Sequence, residues 1–332
     1  MKYGDIPDKV GVHAVKALLK RVLPTLIMNR FGRVTTMPKH NSATVKWRRY
    51  ERLGAALAPL AEGVPPTAQA LRYKDYTAQL KQYGGVVELT DDAIDYSSDD
   101  PMARATEACK DQFAETIERL TIETLKASPN RCYAHGVAGR SSVNNAIAKS
   151  DLTLIKRNFK RDNVQKITEI IQPTIKISTV GVPAAYYAIC HTDLEPDLEA
   201  LAGFKGVVEY GDPSRAIAAE YGACGEFRFV TSKLITPWEK SGASGTTFLS
   251  GGQKVSSSAA CDVYPVIVLG KDAYGTVGFD NLSAAHIFVK QANTVDSGDM
   301  LGQKAFVSWK TRYACAITLP TACCVLSVAC TA

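Results

Sequence analysis

The sequence predicts an α+β protein built around one long helix, with a long two-stranded excursion before it and long strands after it. Three observations carry this. An amphipathic stripe runs from Pro101 to Ala127. Two extended stretches, Thr44–Leu53 and Leu71–Thr90, flank a proline-rich connection. The C-terminus alternates strands: "AHIFVKQAN", "KAFVSWKTRYACAITL" and "CCVLSVA".

From about Lys9 to Leu23, Val10, Ala14, Ala17, Leu18 and Val22 recur at helical spacing, and Pro24 kinks or restarts the segment before Phe31-Gly32 closes it. In "TVKWRRYERL" (Thr44–Leu53), Val45, Trp47 and Arg49 point one way and Thr44, Lys46, Arg48 and Tyr50 the other, so neither face closes a core of its own. The connection "GAALAPLAEGVPPTAQA" holds three prolines and two glycines, which makes a long excursion and not a tight turn. Its return arm alternates Leu71, Tyr73, Asp75 and Thr77 against Arg72, Lys74, Tyr76 and Ala78, then enters a sheet at "GGVVELT".

Asp100 is placed as N-cap and Pro101 at the first position of the long helix. Its stripe is Met102, Ala105, Cys109, Phe113, Ile117, Leu120 and Thr124, opposite Lys110, Asp111, Glu115, Glu118 and Arg119. Pro129 ends it, at roughly 40 Å by the rise of an α-helix. Phe113, Ile117 and Leu120 are expected to face the C-terminal strands. Ser150 is expected to cap a helix through Leu152, Ile155 and Phe159; "PAAYYAIC" reads as a buried strand leading into a helix capped by Thr192 or Asp193. "EFRFVTSKLI" and "DVYPVIVLG" are further strands, and residues 241–260, with ten Gly or Ser among twenty, read as a flexible surface loop.

The chain of 332 residues is 46% hydrophobic and 22% charged, the balance of a globular protein. No apolar run approaches the roughly 20 residues of a membrane helix, and Asp5 and Asp8 within "MKYGDIPDKVGVHAVKALLKRVLP" argue against a signal peptide, so a cytoplasmic origin is expected. Nine cysteines without a C-x-x-C pattern read as buried free thiols. Charge is unevenly spread. Residues 1–85 hold 15 Lys/Arg against 5 Asp/Glu, and the remainder 24 against 28, so a basic leader of +10 precedes a body of −4. That split points to contact with nucleic acid or with the acidic body of another copy.

Catalytic constellations do not emerge. "YGACGEF" lacks a third glycine and a following helix, and no phosphate-binding loop pattern occurs. "SGASGTT" lacks the G-x-S-x-G order of a nucleophile elbow. His13, His40, His135, His191 and His286 are scattered, and His191 is expected to organise the turn into "TDLEPDLEAL". Asp91-Asp92 and Asp99-Asp100 precede helical segments, where carboxylates satisfy free N–H groups. No cofactor and no metal is expected, and no enzyme.

The order of elements, with "FGRVTTMPKHNSATVKWRRYERL", "PLAEGVPPTAQALRYKDYTAQLKQYGGVVELTD", "YYAICHTDLEPDLEALAGF", "DVYPVIVLGKDAYG" and "LGQKAFVSWKTRYACAI", resembles the major capsid proteins of tailed double-stranded-DNA phages, specifically their N-four-like branch with the Hong Kong 97-type fold. The resemblance spans about Tyr3 to Val328; the Gly/Ser loop and the cysteine-rich C-terminus depart from it. It implies an N-terminal arm (1–36), an extended β-hairpin loop (37–90), a peripheral domain (91–150 and 284–332) holding the long helix as its spine, and an axial α/β domain (151–283). It implies a structural protein that self-assembles into pentamers and hexamers of an icosahedral head around double-stranded DNA, located in the virion and assembled in the host cytoplasm. The implied partners are other copies, scaffolding and portal proteins, decoration or cement proteins, and DNA held non-specifically on the inner face; no membrane. Lys46, Trp47, Arg48, Arg49, Arg52, Leu57, Leu60, Arg72 and Lys74 become intersubunit contacts. Arg48 and Arg49 are expected to meet an acidic surface such as Asp111, Glu115 and Glu118. The alternatives are a nucleic-acid-binding protein using the basic N-terminal region, or a hydrolase on the α/β portion.

Overall fold

The structure, a computed structural model, describes residues 26–37, 42–57, 59, 62–63, 68–97, 100–168, 170, 181–212, 215–217, 219–245, 248–254, 259–279, 286–295 and 298–331. The expected helix over Lys9–Leu23 lies outside the described residues, as does Leu60. A short 3-10 turn (Met28–Arg30) leads into β1 (Arg33–Met37), followed by β2 (Thr44–Tyr50), β3 (Tyr73–Gln79) and β4 (Lys81–Thr90). The short helix α1 (Asp91–Asp95) precedes the long helix α2 (Pro101–Lys126) and β5 (Arg131–Tyr133). Then come α3 (Lys149–Arg161), β6 (Tyr186–Cys190), α4 (Glu195–Glu199), β7 (Phe204–Gly206), β8 (Glu220–Cys224) and β9 (Phe227–Thr231). Four two-residue strands, β10 (Ser244–Gly245), β11 (Leu249–Ser250), β12 (Gln253–Lys254) and β13 (Ala259–Ala260), lie within the Gly/Ser-rich stretch. The chain closes with β14 (Val263–Leu269), β15 (Tyr274–Phe279), β16 (His286–Lys290), β17 (Lys304–Ile317) and β18 (Cys323–Ala329).

Two sheets form the body. In the five-stranded sheet β17 pairs with β4 along one edge, from Lys304↔Thr90 to Tyr313↔Lys81. Its other edge carries β16 first and β15 after it, and β1 adds to β15 in parallel. The seven-stranded sheet runs β5-β18-β14-β6-β9-β8-β7. Every residue of β6, β14 and β18 is buried, as strands covered on both faces require. Pro265 in β14 is tolerated because β6 begins to pair only at Ile267, so no ladder bond is lost on that side.

The sheets divide the chain elsewhere than at residue 284. β14 lies in the larger sheet and β15 in the smaller; β17 returns to the smaller and β18 to the larger. The chain therefore passes between the sheets at the links β14–β15 and β17–β18, and the expected boundary at 284 falls within the smaller sheet's stretch. Periodicity identifies strands but not which sheet each joins, and the crossings are two short links. They are bonded to each other: Gly270 N–H donates to the Ala322 carbonyl at 2.8 Å, and Thr318 and Leu319 N–H both donate to the Ala273 carbonyl.

Helix α2 bridges both sheets. Asp100 caps it, accepting from Met102 and Ala103 N–H at 3.1 Å. Ala105 and Cys109 are buried with Leu89, Val307 and Trp309, and the half-buried Phe113 ring stands 5.4 Å from that of Trp309. Further along, Ile122 and Leu125 enter the main core with α3 residues Leu152, Ile155 and Phe159 and the larger sheet. The expected stripe is right as far as Ile117 and then turns. Leu120 is only half-buried, whereas Glu118 and Thr121, each 1% exposed, are inside. Both polar groups have partners there. Thr121 Oγ1 lies 2.6 Å from Tyr313 OH, and Glu118 Oε1 accepts from Ile27 N–H (2.6 Å) and Met28 N–H (2.9 Å). Glu118 therefore does not belong to the expected acidic surface.

Two caps also differ. α3 begins at Lys149, and Asp151, not Ser150, takes the free N–H of Ala148 (3.3 Å) as well as that of His135 (3.1 Å). His191 itself caps the next turn, its Nδ1 accepting from Asp193 N–H at 3.1 Å, so the turn-organising role expected of it holds and the Thr192/Asp193 cap does not. In the Gly/Ser-rich stretch the described residues are pinned by Asp262, fully buried, which accepts from Lys240, Gly251 and Gly252 N–H at 2.7–2.9 Å. The expectation of a flexible loop is corrected there.

Glu118→Ala should cost about 2–4 kcal/mol, since it leaves two buried N–H groups without an acceptor. Glu118→Gln, which keeps one acceptor, should cost less. Chemical denaturation would measure both, and limited proteolysis of the alanine variant should cut near Ile27–Phe31.

Candidate interaction surface

The basic strand finds its first partners within its own hairpin. β2 and β3 pair from Thr44↔Gln79 to Tyr50↔Tyr73, which sets Arg48 opposite Asp75. Arg48 Nε donates to Asp75 Oδ1 at 2.9 Å and its Nη2 to Oδ2 at 3.2 Å, a two-pronged pair, with Lys46 Nζ at 3.4 Å. The guanidinium lies 4.0 Å over the Tyr73 ring, and Lys74 pairs with Glu51 at 3.1 Å. The hydrogen bond from Arg48 pulls the Asp75 carboxyl below its ordinary value and pushes the Arg48 guanidinium up. Such exposed pairs contribute little stability each. Their effect is to hold the long side chains in one ladder.

The other face roots the hairpin. Trp47 Nε1 donates to Thr35 Oγ1 at 3.2 Å, and the half-buried Val45, Trp47 and Leu80 pack on Met37, Ala78, Val277 and Ala314 of the smaller sheet and its neighbours. Trp47 edges over Gly275, where a side chain would meet the indole at 3.0 Å. Arg49 Nη2 donates to Tyr76 OH at 2.9 Å. Trp47 and Arg48 thus have partners in their own chain, a feature strand alternation alone does not disclose because Thr35 lies twelve residues before Trp47 and Asp75 27 residues after Arg48.

Beyond Tyr50 the cover stops. Tyr50, Leu53, Leu57, Leu71 and Tyr73 are exposed, Leu57 at 89%, and Arg52 and Arg72 are exposed beside them. On α2, Glu115 is paired with Arg119 at 2.7 Å and Asp111 is half-buried. A cationic surface unnoticed in the sequence lies on α3. Lys156, Lys160 and Lys166 converge on Glu226 at 2.7–2.9 Å, beside Thr153, Arg157 and Arg161. Glu226 sits just after the tight turn at Gly225 (φ +62°). Its burial would raise the carboxyl, but the three lysines outweigh this and bring it to about 2. The signal was there in "KSDLTLIKRNFKRDNVQK", where Lys156 and Lys160, and Arg157 and Arg161, fall four apart, outside the basic leader that dominated the charge count.

Among the described residues, no group of three His, Cys, Asp or Glu side chains is arranged to hold a metal, and no helix is long and apolar enough to cross a membrane. The family model described as phage capsid protein matches residues 74–326. The chain belongs to the phage capsid protein family. Its fold is that of solved phage capsids. The capsid of Ralstonia phage GP4 superposes with a TM-score of 0.68 at 10% identity, covering 98% of this chain and 96% of that one. The head structure of Helicobacter pylori bacteriophage KHP40 gives 0.62 at 12% identity (98% and 96%), and the capsid of Cyanophage P-SCSP1u 0.61 at 13% (97% and 94%). Comparison with curated proteins gives no match. This capsid protein is thus a structural major capsid protein of the phage head, with the Hong Kong 97-type fold and a place in the virion. Neither the nucleic-acid-binding alternative nor the hydrolase draws support from these relatives.

Glu226 yields a pH prediction. Its folded carboxyl lies at about 2 against an ordinary value of 4.5, so its contribution to stability is fully present above about pH 5 and is lost as pH falls toward 2. Glu226→Gln should flatten the acid limb of the unfolding curve between those limits while leaving the neutral limb lower but parallel.

Proposed function

We propose that this capsid protein joins copies of itself into hexamers and pentamers, and that the β2–β3 hairpin is the principal arm by which each copy holds its neighbour. The observation that carries this is the contrast along one hairpin. Its base is rooted by Trp47 on the smaller sheet, its middle is stiffened by the Arg48–Asp75 pair, and its far end exposes Leu53, Leu57 and Leu71. Exposed leucines on an extended arm are costly unless another surface covers them. Stiffening before contact lowers the entropy lost on docking. In this reading Lys46, Arg49, Arg52, Arg72 and Lys74 flank the contact, and Asp111 and Glu115 of a neighbouring α2 are its acidic counterpart.

The five-stranded sheet with α2 takes the peripheral role and the seven-stranded sheet with α3 and α4 the axial one. Assembly takes place in the host cytoplasm, with scaffolding, portal and decoration or cement proteins as further partners. The head encloses double-stranded DNA held non-specifically, and the α3 cations together with the basic leader are the groups suited to it, because phosphate contacts need charge without base readout. Shell building asks for many defined contacts and no catalytic pocket, so no enzymatic activity is proposed.

Deleting Gly54–Ala68 should leave circular dichroism and the cooperative unfolding of the body unchanged, while sedimentation and electron microscopy show loose capsomers or single chains in place of shells. Normal, heat-resistant shells from the deleted chain would remove the hairpin from the assembly contact. Arg48→Glu with Arg49→Glu should likewise stop assembly without unfolding the body.

A further inference from the structure

We propose that Cys132 and Cys324 are a redox-closing pair, joined as a disulfide when the protein meets an oxidising small disulfide, and that this bridge locks the C-terminal strand to the exit of the long helix. The two residues are far apart in sequence, yet β5 and β18 run side by side in parallel with Leu326 opposite Cys132. Cys324, two positions before Leu326, points to the same face. Its thiol donates to the Cys132 sulfur at 3.5 Å.

The other seven cysteines are different. Burial pushes the thiols of Cys109, Cys190, Cys224, Cys261, Cys315, Cys323 and Cys330 up, which makes them inert. The Cys132 thiol alone moves down among the nine, through the hydrogen bond from Cys324, whose own thiol is pushed up by the same contact. Cys132 is also half-buried and not buried, on an edge strand of three residues, whereas Cys324 is buried. One sulfur is therefore the reachable nucleophile and the other the resolving thiol behind it.

The step balances as thiol–disulfide exchange. The Cys132 thiolate attacks one sulfur of a small disulfide such as oxidised glutathione, and one thiolate leaves and takes up the Cys324 proton. The Cys324 sulfur then attacks Cys132 Sγ and expels the second thiol. Two protein thiols are oxidised, one small disulfide is reduced, and two small thiols are released. Closing from 3.5 Å to a bond of about 2.05 Å needs a shift of about 1.5 Å. β5, bonded to the sheet along one side only, is the element free to make it. The bridge would close a loop from Cys132 to Cys324 that holds β6–β9 and β14–β17, and long closed loops restrict the unfolded chain most. Resting on the proposed assembly in the host cytoplasm, the pair stays open while shells form in a reducing medium and closes after release.

The test uses the full chain before assembly, so it stands or falls apart from shell building. The protein is incubated with oxidised glutathione, trapped with N-ethylmaleimide and mapped by mass spectrometry, beside Cys132→Ser, Cys324→Ser and Cys315→Ser. A Cys132–Cys324 link is expected in the unmodified chain and in Cys315→Ser. Cys324→Ser should retain one glutathione on Cys132, and Cys132→Ser should show neither. The linked chain should melt about 5 °C or more higher, a gain reversed by dithiothreitol. Recovery of both cysteines as maleimide adducts, a link through any other cysteine, or a bridge that leaves the melting temperature unchanged would each overturn the proposal.

Discussion

Glu118 is the constraint on which the architecture turns. A carboxylate only 1% exposed on the buried face of a helix is costly, and burial raises it above its ordinary value despite the N–H groups of Ile27 and Met28 that pull it down. A carboxyl raised by folding favours the folded chain most at low pH and least as pH rises past its folded value, so at neutral pH it is retained at some expense to stability. What it secures is position. Ile27 and Met28, themselves buried, are held against α2, and Tyr274 OH donates to the Met28 carbonyl from the other side. Gly32 completes the seat, because a side chain there would run into the Tyr274 ring. The segment entering the body, the long helix and the start of β15 thus meet at one point, where the two sheets also join.

That junction explains why α2 is both long and mixed in character. Its first half needs an apolar stripe for the smaller sheet, around Trp309, and its second needs apolar contacts with the larger sheet and α3, around Ile122 and Leu125. A straight helix meeting two surfaces in turn cannot keep a single stripe, so the buried face rotates at Ile117–Thr121. Polar residues fill the rotation because the partners there are polar too: backbone N–H groups and the Tyr313 hydroxyl.

What was legible in the sequence follows from range. Asp100–Pro101 as a helix start, the alternation of Thr44–Tyr50 and the continuous apolar strands are local signals, and each is found where the residues place it. The fold class and the phage-capsid likeness were legible in the order of elements. Glu118 was not, since on a helical wheel it belongs with Glu115 and Arg119, and only a partner 90 residues away makes it internal. The exchange of β14/β15 and β17/β18 between sheets was hidden for the same reason. At the hairpin, the exposed face and the proline-rich end were legible; the rooting of Trp47 on Thr35 and the pairing of Arg48 with Asp75 needed the register. The helix cations around Glu226 could have been found from their four-residue spacing but were outweighed by the leader's larger charge.

The interleaving of the sheets bears on how a shell of such chains carries load. β3 passes into β4 through Leu80 alone, and β4 is bonded to β17 over ten successive pairs. β17 continues through Thr318–Ala322 into β18, which lies between β5 and β14 of the larger sheet, and that link is bonded to the link between β14 and β15. A pull on the hairpin is therefore delivered along strands and not across side-chain packing, where backbone hydrogen bonds resist in series with the chain itself. Two separate domains on a flexible linker would yield at the linker under the same pull. Here no single link can open without breaking bonds to the other, so the body meets a pull on the hairpin as one piece. Because the hairpin's own core is small and its ion pairs are exposed, the Trp47 root and the Leu80 junction with β4 are the two places where that pull enters the body.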